Sequence, residues 1–275
     1  MNIDSMLPKV KQVELEILTV VDEFCKKNDI KYSLAYGTLL GAVRHKGFIP
    51  WDDDIDIFMP REDYNRFLKL WKESPPTGYI LQNIDTDFDY RQSFTKIRKD
   101  NTAYLQKKES KKSKYHKGIF IDVFPLDKVA ISALSQKKQK VCAVFMMLFT
   151  RGYIPADESG LVILISKLAL KIVPQKKYET VRKILERKVI KAGSQSGGYK
   201  FFGSMMSLKK NPYPPNMFES IVELEFEEKS FSATKIWDRV LTTFYGDYMK
   251  LPPVQERVWS HSPVYIDFNK NYSND

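Results

Sequence analysis

Apolar side chains recur every three or four residues in several parts of the chain, a spacing that places them on one face of a helix. This spacing predicts an amphipathic helix over about residues 5–27 and mostly helical structure over about residues 131–192. It also predicts a helix that opens at Pro60 and a last helix that ends at Gly246, because proline favours the first turn of a helix and glycine its end.

Short apolar runs between these helices predict strands, because strands are brief and favour branched and aromatic residues. The runs lie at residues 32–36, 55–59, 79–82, 93–98 and 118–124. Gly37 is expected to form a tight turn after the first strand, and Thr38 to cap a short helix that runs through Val43. A polar, lysine-rich loop is predicted over residues 106–117.

Four of the five residues from Asp52 to Asp56 are aspartates. Side chains alternate between the two faces of a strand, so Asp54 and Asp56 share one face while Ile55 lies on the other. Two carboxylates about 7 Å apart on one face repel each other unless a counterion lies between them. A divalent cation is the natural partner, and Mg²⁺ or Mn²⁺ suits a site that also holds phosphate.

Two further features near this strand indicate phosphate chemistry. Backbone N–H groups at the Gly37–Thr38 turn, with a helix N-terminus behind them, can hold a phosphate. Asp122 is an acid within the apolar run 118–124, and a metal bridge to the paired aspartates would explain its presence there. Asp122 is then a third metal ligand, or it accepts a proton from the attacking hydroxyl.

Several motifs together resemble one family of enzymes. They are Tyr36 to His45 (YGTLLGAVRH), Gly47 to Asp56 (GFIPWDDDID), Lys96-Ile97, Gly118 to Pro125 (GIFIDVFP), Phe244 to Met249 (FYGDYM) and Leu251-Pro252-Pro253. The chain resembles the LicD family of phosphocholine transferases and, more distantly, the fukutin-type enzymes, both in the nucleotidyltransferase-like superfamily. The resemblance covers most of the chain, but little between residues 129 and 216 supports it.

This resemblance implies an α/β (α+β) nucleotidyltransferase-like fold with a small mixed sheet and added helices. It divides the chain into a catalytic core (1–128), a helical insertion that faces the acceptor or a membrane (129–216), and a C-terminal helix and tail (217–275). The implied reaction transfers phosphocholine from CDP-choline to a hydroxyl of a cell-surface glycan precursor, of the teichoic acid or lipopolysaccharide type, and releases CMP.

The resemblance also implies roles for individual residues. The three carboxylates expected to bind the metal and carry the chemistry are Asp54, Asp56 and Asp122. The residues expected to hold the donor phosphates are Gly37, Thr38, Arg44 and Lys96. Those expected to support the site from behind are Asp52, His45 and Trp51.

Choline is a quaternary ammonium, and such cations often bind over aromatic faces. Six aromatic residues near the motifs are therefore candidates for a choline cage: Tyr36, Trp51, Tyr104, Tyr115, Phe120 and Phe124. Ordinary core packing is the alternative for each of them.

The balance of 44 Lys and Arg against 34 Asp and Glu gives a net charge of +10. This charge favours an anionic partner, such as a nucleotide or an anionic membrane surface, unless it serves solubility alone. Two cysteines and the absence of a secretory signal predict a cytoplasmic protein. The apolar stretches 141–149 and 161–173, both near lysines, are too short to span a bilayer. They are either core helices or a hairpin that rests on the inner face of the cytoplasmic membrane.

Alternatives to phosphocholine transfer remain open at this stage. The same site would also serve transfer of another CDP-linked polyol phosphate. It would equally serve nucleotidyl transfer, in which the α-phosphorus of the nucleotide is attacked. A nucleotide-binding or membrane adaptor module would bind a donor without turnover. Nucleic acid is not expected as a partner, because the basic residues form no stripe with interleaved stacking aromatics.

Overall fold

The computed structural model describes residues 3–87, 89–107, 115–154, 161–258, 261 and 263–273. The elements before residue 130 are α1 (Leu7–Lys27), β1 (Ser33–Leu34), α2 (Tyr36–His45), β2 (Asp56–Pro60), α3 (Arg61–Glu73), β3 (Tyr79–Gln82), β4 (Thr95–Lys99), β5 (Ala103–Gln106) and β6 (Phe120–Lys128). Those after it are α4 (Ala133–Arg151), α5 (Leu161–Ile172), α6 (Tyr178–Ala192), β7 (Tyr199–Lys200), α7 (Met205–Lys209), β8 (Ile221–Phe226), β9 (Lys229–Thr234), α8 (Trp237–Tyr245) and β10 (Pro263–Asp267).

A mixed sheet organises the first half of the chain. Its strand order is β1-β2-β6-β4-β3, and β7 pairs with the end of β6. Strands β2 and β6 run parallel, whereas the neighbouring pairs β1–β2, β4–β6 and β3–β4 are antiparallel. The register places Asp56 opposite Asp122, and Lys96 opposite Asp122 on the other side. The expected α+β fold with a small mixed sheet is therefore confirmed.

The main core lies where α1 and α3 cover this sheet. Their apolar faces bury residues such as Ile17, Val21, Phe67 and Trp71, and removal of this area from water is the main stabilising contribution. The buried face of α1 also carries Glu14, an acid at a position where the helical spacing calls for an apolar residue.

Helices α4 and α6 pack against each other around a second, smaller core that includes Ala143, Met146, Met147 and Val189. The stretch 141–149 is thus mainly a core helix. The alternative prediction, a hairpin that rests both apolar stretches on a membrane, is therefore wrong for residues 141–149. Among the described residues, no helix is both long and apolar enough to cross a membrane. The proposed division at residues 129 and 216 stays a prediction.

Several local predictions need correction. Helix α2 begins at Tyr36, with Ala35 in the N-cap position, so Gly37 lies in the first helical turn and Thr38 is not the cap. The Thr38 hydroxyl instead accepts a hydrogen bond from the backbone N–H of Asp56, at 2.8 Å. This bond ties the start of α2 to the start of β2.

Two further strand pairs, one between distant residues and one in a local hairpin, were not predicted. Strand β10 pairs with β5 and β8 pairs with β9, each antiparallel. The first predicted strand contains two residues only, and β6 extends four residues beyond the predicted end to Lys128. In the predicted loop 106–117, residues 108–114 lie outside the described part of the chain.

Candidate active site

A cleft of about 810 Å³ opens above the beginnings of β2 and β6. Its floor includes four carboxylates: Asp52, Asp54, Asp56 and Asp122. The parallel pairing of β2 with β6 brings the last two together, and the backbone N–H of Asp122 donates to the carbonyl of Ile55, at 2.8 Å. The three carboxylates predicted to carry the chemistry therefore line one cavity.

Asp56 and Asp122 are buried, whereas Asp52 and Asp54 are half-buried. Burial, reinforced by the charges of Asp52, Asp53 and Asp122 against the opposing effect of His261, raises the pKa of Asp54 to about 8. Burial and the charges of Asp54 and Asp122 raise the pKa of Asp56 well above its ordinary value. Such a cluster is electrostatically unfavourable by itself, and a divalent cation with oxygen ligands would relieve it.

Two overlapping sets of possible metal donors lie at the cleft, and Asp53 of the second set does not line it. Asp54, Asp56 and Asp122 supply oxygen only, which suits Mg²⁺. Among the described residues, the tightest group of ligand atoms belongs to Asp53, Asp54 and His261, all within 4.8 Å of one another. A mixed oxygen and imidazole set favours a softer ion than Mg²⁺, such as Mn²⁺ or Zn²⁺. Asp54 is common to both sets.

The structure places His261 in the cleft through the C-terminal segment. Its Nδ1 lies 3.3 Å from Asp53 Oδ1, its backbone N–H donates to Asp53 Oδ2 at 3.2 Å, and its Nε2 lies 3.7 Å from Asp54 Oδ2. Although burial lowers the pKa of His261, its hydrogen bond with Asp53 and the charge of Asp54 raise it overall.

Lys96 does not occupy the position expected of a phosphate-binding cation. Its Nζ lies 2.6 Å from Asp122 Oδ1 and 3.2 Å from the centroid of the Phe120 ring, and both side chains of the ion pair are buried. Lys96 therefore neutralises Asp122 from beneath the cleft. The antiparallel register between β4 and β6 imposes this contact.

Of the other three phosphate-binding candidates, two line the cleft and one lies beneath it. Gly37 and Arg44 line the cleft, and Arg44 is anchored by a 2.7 Å hydrogen bond from Nη1 to the carbonyl of Tyr248. A Cβ at position 37 would lie 2.3 Å from Asp52 Oδ2, so the glycine lets this carboxylate approach the start of α2. Thr38 is buried beneath the cleft, with its hydroxyl engaged to β2.

The three supporting residues also occupy different positions. Asp52 and Trp51 line the cleft directly, rather than from behind. His45 lies outside the lining, where its ring meets Trp51 edge-on at 6.4 Å and its Nδ1 lies 3.4 Å from Arg44 Nε.

The structure places three of the six choline-cage candidates in the cleft and three outside its lining. Tyr36, Trp51 and Phe124 line the cleft. Tyr104 is buried with its hydroxyl 3.3 Å from Asp53 Oδ2, and Phe120 lies beneath Lys96. Tyr115 packs against Tyr90, with ring centroids 6.2 Å apart, and does not line the cleft.

Sequence reasoning missed several residues of the site. Strand alternation would place Asp53 on the face opposite Asp54, but β2 begins only at Asp56, and the two carboxylates lie within 4.8 Å of each other. His261 is far away along the chain. Glu14 is buried, and among the described residues its Oε2 has no hydrogen-bond partner. Burial, then the charges of Asp54, Asp53 and Asp52, raise its pKa well above the ordinary value. Its position on the apolar face of α1 was the signal that could have found it.

Comparison with known proteins identifies the family. Residues 29–142 match the LicD/FKTN/FKRP nucleotidyltransferase domain. The chain is 31% identical over 261 residues to the lipopolysaccharide cholinephosphotransferase LicD of Haemophilus influenzae. The alignment covers 92% of this chain and 96% of that protein. This chain belongs to the LicD family.

Two shorter matches are to uncharacterised proteins. An uncharacterised protein of Rickettsia typhi is 41% identical over 68 residues, or 25% of this chain and 22% of that protein. An uncharacterised protein of Rickettsia prowazekii is 41% identical over 66 residues, or 24% of this chain and 25% of that protein. The family recognised from the motifs is confirmed, and so is the prediction that this LicD family member is a phosphotransferase enzyme.

Without a metal ion, the chain should lose stability as the pH rises. The folded-state pKa of Asp54, about 8, lies above its ordinary value of 3.8, so the folded chain holds this proton more tightly than the unfolded chain. The resulting stability is present at low pH and is lost as the pH rises toward 8, by up to about 1.4 kcal/mol per unit. Asp54→Asn removes this titration, so its stability relative to wild type should grow from pH 5 to pH 8.

Urea unfolding of both proteins with EDTA at pH 5, 6.5 and 8 measures this difference. Adding Mg²⁺ or Mn²⁺ at pH 8 should stabilise the wild type more than Asp54→Asn. Asp89→Asn, at an exposed position outside the cleft, is the matched control and should follow the wild type throughout. Parallel stability profiles for wild type and Asp54→Asn would contradict the prediction.

Proposed function

We propose that this LicD family member transfers phosphocholine from CDP-choline to a hydroxyl of a cell-surface glycan precursor and releases CMP, with Mg²⁺ or Mn²⁺ as the metal ion. The relative from Haemophilus influenzae is named as a lipopolysaccharide cholinephosphotransferase and aligns over nearly its whole length. The observation that carries the proposal is that one cleft combines an acidic floor with a continuous aromatic wall. These two surfaces match the two chemically different ends of such a donor.

The aromatic wall extends beyond the residues that the sequence suggested. Phe94 and Phe124 have ring centroids 4.6 Å apart, and Phe201 lies 5.1 Å from Phe124. Tyr36 joins this group to Phe244, at 4.9 Å. A trimethylammonium group binds favourably over such faces, because it is a weakly hydrated cation attracted by the negative face of each ring.

The acidic floor and its neighbouring cations suit the diphosphate. Asp54, Asp56 and Asp122 would hold the metal ion, which neutralises phosphate charge when it is bound. Arg44 and the beginning of α2 at Gly37 would hold the donor phosphates from the opposite side. Arg151 and Lys250 also line the cleft and add positive charge.

In the proposed reaction, the acceptor oxygen forms a bond to the choline-bearing phosphorus. The bond between that phosphorus and the bridging oxygen breaks, and CMP leaves with the electron pair. The protein orients the two reactants and neutralises charge, and it forms no covalent bond of its own. The proton of the acceptor hydroxyl would pass to one of the carboxylates in the cleft. Asp52, which lines the cleft beside Gly37, belongs to this group.

The acceptor is proposed to be a lipid-linked glycan precursor, of the lipopolysaccharide or teichoic acid type, met at the inner face of the cytoplasmic membrane. The net charge of +10 supports work beside an anionic surface. The rim of the cleft carries the exposed apolar side chains Met206 and Leu251, which suit an amphiphilic acceptor.

Donor choice tests the proposal. CMP release should be faster with CDP-choline than with CDP-ethanolamine or CDP-glycerol, when each is supplied with Mg²⁺ and a lipid-linked glycan. Phe94→Leu should raise KM for CDP-choline about tenfold, because one aromatic face in a desolvated site contributes on the order of 1–2 kcal/mol to binding of the cation.

Phe48→Leu is the control, because Phe48 is a partly buried aromatic that packs against Phe226 and does not line the cleft. It should leave KM unchanged. Faster release of CMP from CDP-glycerol than from CDP-choline would assign a polyol phosphate donor instead. An unchanged KM for CDP-choline in Phe94→Leu would show that the aromatic wall does not contribute to donor binding.

A further inference from the structure

Helix α5 presents its most apolar side to the solvent. Leu164, Ile165, Leu168 and Ile172 are between 45 and 68% exposed. At about 100° per residue, these four positions form one stripe roughly 100° wide along the helix. A helix on the surface of a protein usually turns its apolar face toward the core, so an exposed apolar stripe of this kind is unusual.

The orientation of α5 is fixed by contacts on its other side. Ser166 is buried, Ile163 and Leu170 are half-buried, and α5 packs against α4. The Tyr178 hydroxyl donates a hydrogen bond to the carbonyl of Leu170, at 2.9 Å. The exposed stripe lies opposite Ser166 around the helix axis, so in this fold nothing from the described residues covers it.

Positive charge borders the stripe. Lys167 and Lys171 are exposed beside it, and Lys176 and Lys177 follow in the next turn. Residues 161–177 contain no aspartate or glutamate. An apolar stripe with lysines at its edge is the pattern of a helix that lies in the interface of an anionic bilayer. A second copy of the chain fits less well, because a symmetric contact would bring the same lysines together.

We propose that α5 docks this protein on an anionic lipid bilayer, with the helix parallel to the surface and the four apolar side chains at the boundary of headgroups and acyl chains. Twelve residues are too few to span a bilayer but sufficient to lie on one. The lysines remain among the anionic headgroups.

Docking through α5 has a consequence for the cleft that rests on the proposed function. Tyr178, whose hydroxyl binds the carbonyl of Leu170 in α5, packs against Phe149 near the end of α4, and Arg151, the last residue of α4, lines the cleft. The membrane would therefore lie near the cavity that receives the acceptor. A glycan anchored in that membrane would reach the site without leaving the lipid surface.

Vesicle cosedimentation tests the proposal with the full chain. The wild type should bind phosphatidylcholine vesicles that contain phosphatidylglycerol, and should bind pure phosphatidylcholine vesicles much more weakly. The double variant Leu164→Gln/Leu168→Gln should reduce binding about tenfold or more, since each leucine contributes apolar area. Lys167→Glu/Lys171→Glu should also reduce binding to the anionic vesicles, and should make the remaining binding less sensitive to salt.

Ile184→Gln is the matched control, an exposed apolar position on α6 outside the stripe, and it should bind as the wild type does. Circular dichroism and CMP release with a water-soluble glycan acceptor check that the leucine variant is folded. Its selective loss of transfer to a vesicle-bound acceptor would support the proposal.

Three results would overturn it: a wild type that ignores anionic vesicles at low salt, a leucine variant that binds them unchanged, or concentration-dependent dimerisation that the leucine variant abolishes. The last would identify a second copy as the occupant of the stripe. Vesicle binding without any CMP release would leave the docking intact and reject the proposed function.

Discussion

Replacing Asp54 with asparagine is expected to lower kcat for phosphocholine transfer about a thousandfold. Asp54 belongs to both sets of possible metal donors at the cleft, and its half-buried carboxylate lies among other carboxylates, where charge acts more strongly than in water. Because this effect acts on charge that develops during phosphoryl transfer, kcat and kcat/KM should fall together.

Initial rates of CMP release at saturating CDP-choline and acceptor, with Mg²⁺, measure this effect. Asp89→Asn should retain the wild-type rate. Asp56→Asn should cause a similar loss, and the double variant should be little worse than either single one, because groups that act on one metal ion are not additive. An Asp54→Asn enzyme that keeps more than about a tenth of the rate would exclude a central role for this carboxylate.

Lys96→Met is expected to lower the free energy of unfolding by about 3–5 kcal/mol. The side chains of Lys96 and Asp122 are only 7% and 6% exposed, and their charged atoms lie 2.6 Å apart. Removing the lysine leaves a buried carboxylate unpaired, opposite Asp56 on the neighbouring strand. Urea unfolding with EDTA, analysed by linear extrapolation, measures the loss.

The control for this change is Lys69→Met on α3. Lys69 and Glu73 also form an ion pair, at 3.9 Å, but their side chains are 74% and 58% exposed. An exposed pair contributes at most about 0.5 kcal/mol, so this variant should remain close to the wild type. The double variant Lys96→Met/Asp122→Asn should recover much of the lost stability. Equal losses in the free energy of unfolding for the two lysine substitutions would show that burial of the Lys96–Asp122 pair does not affect stability.

The carboxylates of the site were predictable because their signal is local. Asp54 and Asp56 stand two residues apart beside a strand, and Asp122 interrupts an apolar run. An acid in such a setting needs a compensating partner, whatever the rest of the fold does. The position of all three in one cleft agrees with that reasoning, although their roles as metal ligands stay predictions.

Lys96 shows where local reasoning ends. Its charge was visible in the sequence, but its partner depends on which residue of β6 lies opposite it. A shift of one residue in that register would move the side chain to the other face of the sheet. The same limit applies to Tyr104 and Phe120, since the pairing of distant strands decides whether an aromatic lines the cleft or lies beneath it.

The sequence by itself determined the helices, the central strands, the family and the cluster of acids, because each depends on periodicity or on neighbouring residues. Only the tertiary structure decided that His261 and Glu14 approach these acids, that Lys96 faces Asp122, and that α5 turns its apolar stripe outward. Those features arise from contacts between residues far apart in the chain, and the free energy of the whole packed fold selects them.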